Sequence, residues 1–279
     1  MKIASRVYTA LIFVLLYAPI AVMILFSFNG SSSTAVMEGF SFKWYVDLFG
    51  NRAAGEALRN TLVLALLSSL IATVLGTLAA VALSRLRRAW VRGTFTGILN
   101  IPMMNPDIVT AVSMLMLFVF VGNALNIASR SFLTVLIAHI TFNLPYVVLS
   151  VMPKLRQMDR NLPEAAADLG CTPLQSFFLV ELPAILPGVL SGALMAFTLS
   201  LDDFIITQFT KGEGFYTLPT YIYSMTKRKV EPDMYALSTL IFLVILALLV
   251  LSNVFQAKME ARRDPRRATK TKRMKGTKN

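Results

Sequence analysis

LVLALLSSLIATVLGTLAAVAL, residues Leu62–Leu83, contains no Asp, Glu, Lys or Arg. As a helix rising about 1.5 Å per residue it is roughly 33 Å long, and about 20 apolar residues suffice to cross the hydrocarbon core of a bilayer. Working outward, five further runs of this kind appear: Thr9–Phe28, Gly97–Val121, Ser131–Met152, Ala184–Phe209 and Met234–Phe255. The fourth and sixth runs in chain order are equally free of formal charge. Over all 279 residues, 56% are hydrophobic and 15% charged, with a mean hydropathy of +0.64. A soluble domain carries nearer a quarter charged residues. The expected fold is therefore all-α, a polytopic membrane protein with six transmembrane helices. The first run contains Pro19 and shows no small-residue cleavage site before Asn29, so it is expected to remain as a helix rather than leave as a signal peptide.

The net charge of +12 raises the possibility of nucleic-acid binding, and its distribution argues against it. Ten of the 27 basic residues lie in Lys258–Asn279. A basic run beside an apolar span acts as a topology and lipid-headgroup signal. The N-terminus, the second and fourth connections and the tail hold 19 Lys and Arg, against 8 in the other three connections. Both termini are thus expected in the cytoplasm. Lys227-Arg228-Lys229 falls on the outer side by this count, partly offset by Glu231 and Asp233. The single cysteine, Cys171, excludes an intrachain disulfide and a cysteine-cluster metal site.

The fourth connection, Lys154–Pro183, is cytoplasmic by this reckoning and is unusually structured for a loop. Asn161 followed by Glu164 is a helix N-cap pattern with Pro163 in the first turn. Gly170 supplies a left-handed residue to end that helix. Thr172, Pro173 and Gln175 repeat the start signal, and the second helix is expected to run to Glu181 and stop at Leu182-Pro183. Leu174, Phe177, Phe178 and Leu182 form one apolar stripe. Such a pair of short capped helices suits docking of a partner; equally, the stripe can pack beneath the chain's own spans.

Glu164-Ala165-Ala166, then Gly170, then Leu182-Pro183 resembles the EAA signature of the permeases of ATP-binding-cassette (ABC) importers. Val180 stands where that pattern has isoleucine. Ser27-Phe28-Asn29, Lys43-Trp44-Tyr45, Pro106–Val109, His139–Phe142 and Phe197–Asp203 are similar, more narrowly, to the second permease subunit of spermidine/putrescine importers, from about Tyr17 to Asn253. The resemblance implies a type I ABC importer permease fold and a bacterial inner-membrane location. The expected parts are an N-terminal helix and extracytoplasmic loop over 1–57, a permease core over 58–255 and a basic cytoplasmic tail over 256–279, the tail lying beyond the resemblance and unsupported by it. It also implies that Glu164, Ala165, Ala166, Gly170, Leu182 and Pro183 form the loop seated on a cytoplasmic ATPase. The implied partners are two ATPase copies, a homologous second permease, an extracytoplasmic substrate-binding protein and the lipid membrane, with ATP and Mg bound by the ATPase. No cofactor, metal or nucleic acid is expected on this chain.

Independently of family, Asp107, Asp202 and Asp203 sit inside apolar runs. A carboxylate at the centre of a membrane helix costs about 2.5–3.5 kcal/mol on insertion scales, so a binding or conduction role is the default. Asp107 falls about ten residues into its run, near the midplane; Pro102 and Pro106 before it break the backbone ladder. The alternative is that Asp107 caps a helix restarted after Pro106. Consecutive helical residues diverge by about 100°, so only one of Asp202 and Asp203 faces a pathway squarely and the other is paired or near headgroups. Tyr146, Phe197, Phe118 and Phe204 are candidate cation–π partners for an amine, or plain packing. His139, the lone histidine, reads as a bridge between helices rather than a proton relay.

No G-x-x-x-x-G-K-[ST] phosphate loop occurs, and no nucleophile–base pair converges within the runs. Energy must then come from elsewhere. A secondary transporter using the same acids, or a membrane-embedded enzyme, are the competing classes. The single set of six runs and the capped loop favour the importer.

Overall fold

In the computed structural model the described residues are 2–31, 36, 38–86, 88–126, 130–159, 161–227, 234–240, 242–244, 246–247, 250–251 and 254. Helices dominate: α1 Lys2–Phe26, α2 Lys43–Gly50, α3 Arg52–Arg85, α4 Ala89–Met104, α5 Asp107–Leu125, α6 Phe132–Gln157, α7 Asn161–Asp168, α8 Pro173–Ser176, α9 Leu182–Asp202, α10 Ile205–Thr210 and α11 Leu218–Thr226. Among the described residues, β pairing is limited to an isolated bridge between Asn29 and Phe40. Among the described residues, five helical stretches are long and apolar enough to cross a membrane. The sixth expected run is described in part, as the apolar helix Met234–Val244. The basic tail from Lys258 lies outside the described residues, as do Arg228, Lys229, Glu231 and Asp233.

Two expected spans are not continuous helices. The third breaks between Met104 and Asp107, because Pro106 has no N–H for the ladder and holds the preceding Asn105 extended (φ −78°, ψ 144°). Asp107 consequently opens α5 instead of lying mid-helix. The fifth breaks at Asp203, extended at φ −62° and ψ 123°, and resumes as α10.

The chain divides into two compact units. One joins Met1–Asn60 to Tyr216–Ala247; the other is built on Thr61–Phe215. In the first, the segment after α1 is tied down by Asn29, which is fully buried. Its Nδ2 donates to Val36 O (2.7 Å), its Oδ1 accepts from Glu38 N (2.9 Å), and its carbonyl accepts from Trp44 Nε1 (2.6 Å). Ser27 and Tyr45 share a 2.7 Å hydrogen bond, and Phe28 stacks on Phe40. The Ser-Phe-Asn and Lys-Trp-Tyr stretches are therefore two halves of one clamp.

In the second unit α3, α6 and α9 pack through small residues. A Cβ on Gly76 of α3 would stand 2.7 Å from Val147 Cγ1 of α6, and one on Gly192 of α9 3.1 Å from Val147 Cα. On α9, Gly188, Gly192, Ala196 and Ser200 recur every fourth residue and are all buried. That stripe lets backbones approach closely, as helices in lipid require where no hydrophobic force separates them from the solvent. Val147, Val148, Val151, Ile185 and Ala196 fill the centre of this core.

Candidate functional site

The loop between α6 and α9 departs from its expected form at both edges. At its start, Asp159 Oδ1 accepts the backbone N–H of Asn161 at 3.0 Å, so the entering turn is held by Asp159 and not by an Asn161 cap. At its end there is no stop at Leu182-Pro183. The helix runs from α8 through one π turn, Phe177–Glu181, straight into α9, with Leu182 N–H reaching back five residues to Phe177 O. In a regular helix the Pro183 ring would collide with the carbonyl of Leu179; one wide turn relieves that contact.

Between these edges the local signals act as expected. Gly170 adopts φ +85°. Its N–H bonds Ala167 O (2.9 Å) and the N–H of Cys171 bonds Ala166 O (3.0 Å), the pair that defines a Schellman termination. Thr172 and Gln175 form a reciprocal capping box: Thr172 N–H donates to Gln175 Oε1 (2.9 Å), and Gln175 N–H to Thr172 Oγ1 (3.3 Å). The apolar stripe divides. Phe177 and Leu182 pack against the core, whereas Leu174 and Phe178 remain 71% and 58% exposed. Leu169 and Leu179 add to this outward apolar patch. Glu164 and Ala165 are exposed and Ala166 is buried. Beneath the loop lies a cleft of about 800 Å³ lined by Arg85, Arg92, Arg156, Glu164 and Glu181, among others.

A second polar region runs along α6. His139, Phe142, Asn143 and Tyr146 lie at i, i+3, i+4 and i+7, hence on one face. His139, 1% exposed, places Nδ1 3.1 Å from Ser200 Oγ and Nε2 3.0 Å from Thr207 Oγ1 and 3.3 Å from Asp203 Oδ2. Asp203 also accepts the backbone N–H of Ile206 (3.2 Å) and of Thr207 (2.8 Å), and the Thr207 hydroxyl (2.8 Å). Standing one residue before the N-cap Phe204, its side chain thus caps the first turn of α10 and anchors it to α6. Ser200 Oγ accepts from Asn143 Nδ2 (2.7 Å) and meets Ser68 Oγ at 2.9 Å, so α3, α6, α9 and α10 share one buried network. Asn143 Oδ1 is buried and has no hydrogen-bond partner among the described residues.

Asp202 is exposed beside this network, and Asp203 carries the pairing left open by the sequence. Asp107 is exposed in the first turn of α5. Tyr146 and Phe118 pack against the cluster of Ala111, Ala138, Phe142 and Ile206. His139 and Tyr146 are seven residues apart, so the two polar points stand about 10 Å apart along α6. Phe197 and Phe204 are half-buried. Sequence reading missed Ser68, Asn143, Ser200 and Thr207, whose signal is weak: uncharged polar residues are common in membrane helices.

A family model described as the inner membrane component of binding-protein-dependent transport systems matches residues 72–265. The chain belongs to that family. It is similar to the putrescine transport system permease protein PotI of Escherichia coli (strain K12), 41% identical over 230 residues, covering 82% of each chain. It is also 39% identical over 249 residues to the spermidine/putrescine transport system permease protein PotC of Haemophilus influenzae, covering 88% of this chain and 94% of that one. Among solved structures, its fold matches a bacterial ABC transporter involved in import of the polysaccharide alginate, with TM-score 0.73 and 19% identity over 92% of this chain and 95% of that one. It also matches the inward-facing MetNI methionine ABC transporter, with TM-score 0.60 and 20% identity over 74% of this chain and 95% of that one. The chain is thus a multi-pass membrane component of a transport system with the ABC permease fold.

Proposed function

We propose that this chain is the permease subunit of an ATP-driven importer that carries polyamines across the bacterial inner membrane. The observation that carries the transport reading is the loop over 154–183. Its two helices are closed by a Schellman motif and a capping box, and Leu169, Leu174, Phe178 and Leu179 face outward from it. An apolar patch held on so rigid a frame suits a fixed partner, here the cleft of a cytoplasmic ATPase present in two copies, which binds the ATP and Mg. Glu164, Ala165, Ala166 and Gly170 form the near side of that contact, and Leu182 and Pro183 join it to α9. A homologous second permease completes the pathway, and an extracytoplasmic binding protein delivers the substrate. Both termini face the cytoplasm, and this chain performs no catalysis of its own.

The similarity to putrescine and spermidine permeases supports a polyamine, and so does the chemistry along α6. An ammonium group leaving water needs fixed opposite charge. Asp202 and Asp107 supply it at two points, and Tyr146 on α6 offers a ring face. Phe197 lines α9 on the same route. Asp203 shapes this route by holding α10 in place rather than by meeting the substrate directly. The test is putrescine uptake into vesicles containing the assembled transporter. Asp107→Asn and Asp202→Asn are each expected to cut uptake at least tenfold, about 1.4 kcal/mol, while the ATPase still co-purifies. Parental uptake in both variants refutes the polyamine route.

A further inference from the structure

Glu181 is the last residue of the π turn, and its side chain is 5% exposed. Arg85 is the last residue of α3, with its side chain 55% exposed. Arg85 Nη2 donates to Glu181 Oε1 at 2.7 Å. A carboxylate buried at a helix junction and met by a guanidinium from another helix is expensive to retain unless the pairing fixes something.

What it fixes follows from the helix directions. From Arg85, α3 runs back to Ser68, 17 residues or about 25 Å away; from Glu181, α9 runs forward to Ser200, 19 residues or about 28 Å away. Ser68 and Ser200 are themselves hydrogen-bonded at 2.9 Å. The antiparallel α3 and α9 are therefore pinned at both ends by polar contacts of similar span. Between the pins, Ala72, Ala80, Val81, Ile185 and Ala196 belong to one buried core. The upper pin is part of the network containing His139, Asn143 and, through His139, Asp203. The lower pin sits at the root of the loop.

We propose that Arg85 and Glu181 are positioning residues that make α3 and α9 a single lever joining the loop to the buried polar network. A push on the loop would otherwise be absorbed at the π turn, where the helix is widest and its ladder weakest. With the ion pair in place the turn cannot open without separating α3 from α9, so the displacement reaches Ser200 and the residues bonded to it. This rests on the reading that an ATPase drives the loop.

The experiment uses the complete transporter in proteoliposomes, reading putrescine uptake per ATP hydrolysed and the amount of co-purified ATPase. Glu181→Gln keeps the shape and removes the charge. It is expected to lower uptake per ATP at least about fivefold, the lower end of ordinary coupling energies, with co-purification unchanged. The exchange Arg85→Glu with Glu181→Arg is expected to recover at least half of the parental ratio. Should Glu181→Gln fail to accumulate, Arg85→Lys provides the same reading from the exposed end, keeping the charge but losing the planar donor. A parental ratio in whichever single variant accumulates overturns the proposal, and so does an exchange that recovers nothing. Absence of ATPase from the parental complex would instead refute the docking reading.

Discussion

Asp203→Asn separates a structural carboxylate from a transporting one, and its cost follows from the contacts. Asp203 Oδ2 receives the Thr207 N–H and hydroxyl, each at 2.8 Å, with His139 Nε2 3.3 Å away, and Oδ1 receives the Ile206 N–H at 3.2 Å. Asparagine has one acceptor oxygen. The less costly orientation keeps that oxygen at the Oδ2 position and turns the amide NH2 toward the Ile206 N–H. One bond to a charged group is lost, worth about 1.5–3 kcal/mol, and the two that remain weaken to neutral strength. The sum is about 3–6 kcal/mol. At roughly 2–4 °C per kcal/mol for a unit of this size, the unfolding midpoint should fall by about 6–24 °C. Asp202 is exposed, so Asp202→Asn should leave the midpoint within about 2 °C while lowering uptake. The assay is thermal unfolding of the detergent-purified complex followed by intrinsic fluorescence, alongside vesicle uptake at equal protein. An Asp203→Asn variant with the parental midpoint and lost uptake would refute the cap assignment and put Asp203 in the substrate's path.

Three other outcomes follow from local geometry. Gly188→Val places a branched side chain where even a Cβ would stand 2.9 Å from Ser150 O; separating α9 from α6 should cost about 1–3 kcal/mol, read as a lower unfolding midpoint. Gly170 has φ +85° with open space around it, so the strain of substitution is conformational: Gly170→Asn should keep most of the co-purified ATPase, whereas Gly170→Val should lose most of it. Cys171, half-buried beside Gly170, is the natural probe of sidedness. A membrane-impermeant maleimide should label it in inverted vesicles and not in intact cells, and the reverse pattern would overturn the cytoplasmic assignment of the loop.

The parts of the fold legible in sequence are those set within a few residues. Gly170, and Thr172 with Gln175, act through bonds reaching no further than five positions, and both appear in the structure as their residue types require. The uncharged run Leu62–Leu83 likewise lies inside the uninterrupted α3. The prolines were harder. Pro106 breaks a helix, Pro183 is carried by a π turn, and Pro145 and Pro153 sit inside an unbroken α6. Each removes the same N–H. The outcome depends on whether neighbouring helices hold the segment straight, and Gly188 and Gly192 of α9 packed against α6 do so there.

The same division governs the acids. Sequence treats Asp107, Asp202 and Asp203 alike, since burial of a formal charge in an apolar run is equally costly for each. The structure distinguishes them by partners distant in the chain. Asp203 has its caps three and four residues on, but also His139, 64 positions earlier, and the latter contact exists only because the small-residue stripe of α9 brings it against α6. Asp107 is set at the exposed start of α5, which packs on α6 around Ala111 and Ala138. Asp202 is left exposed between these settings. An exposed carboxylate in a membrane protein is placed to meet a species that enters. Under the function proposed above that species is a cation, which is why Asp202, rather than the internally hydrogen-bonded Asp203, carries the weight of the polyamine proposal.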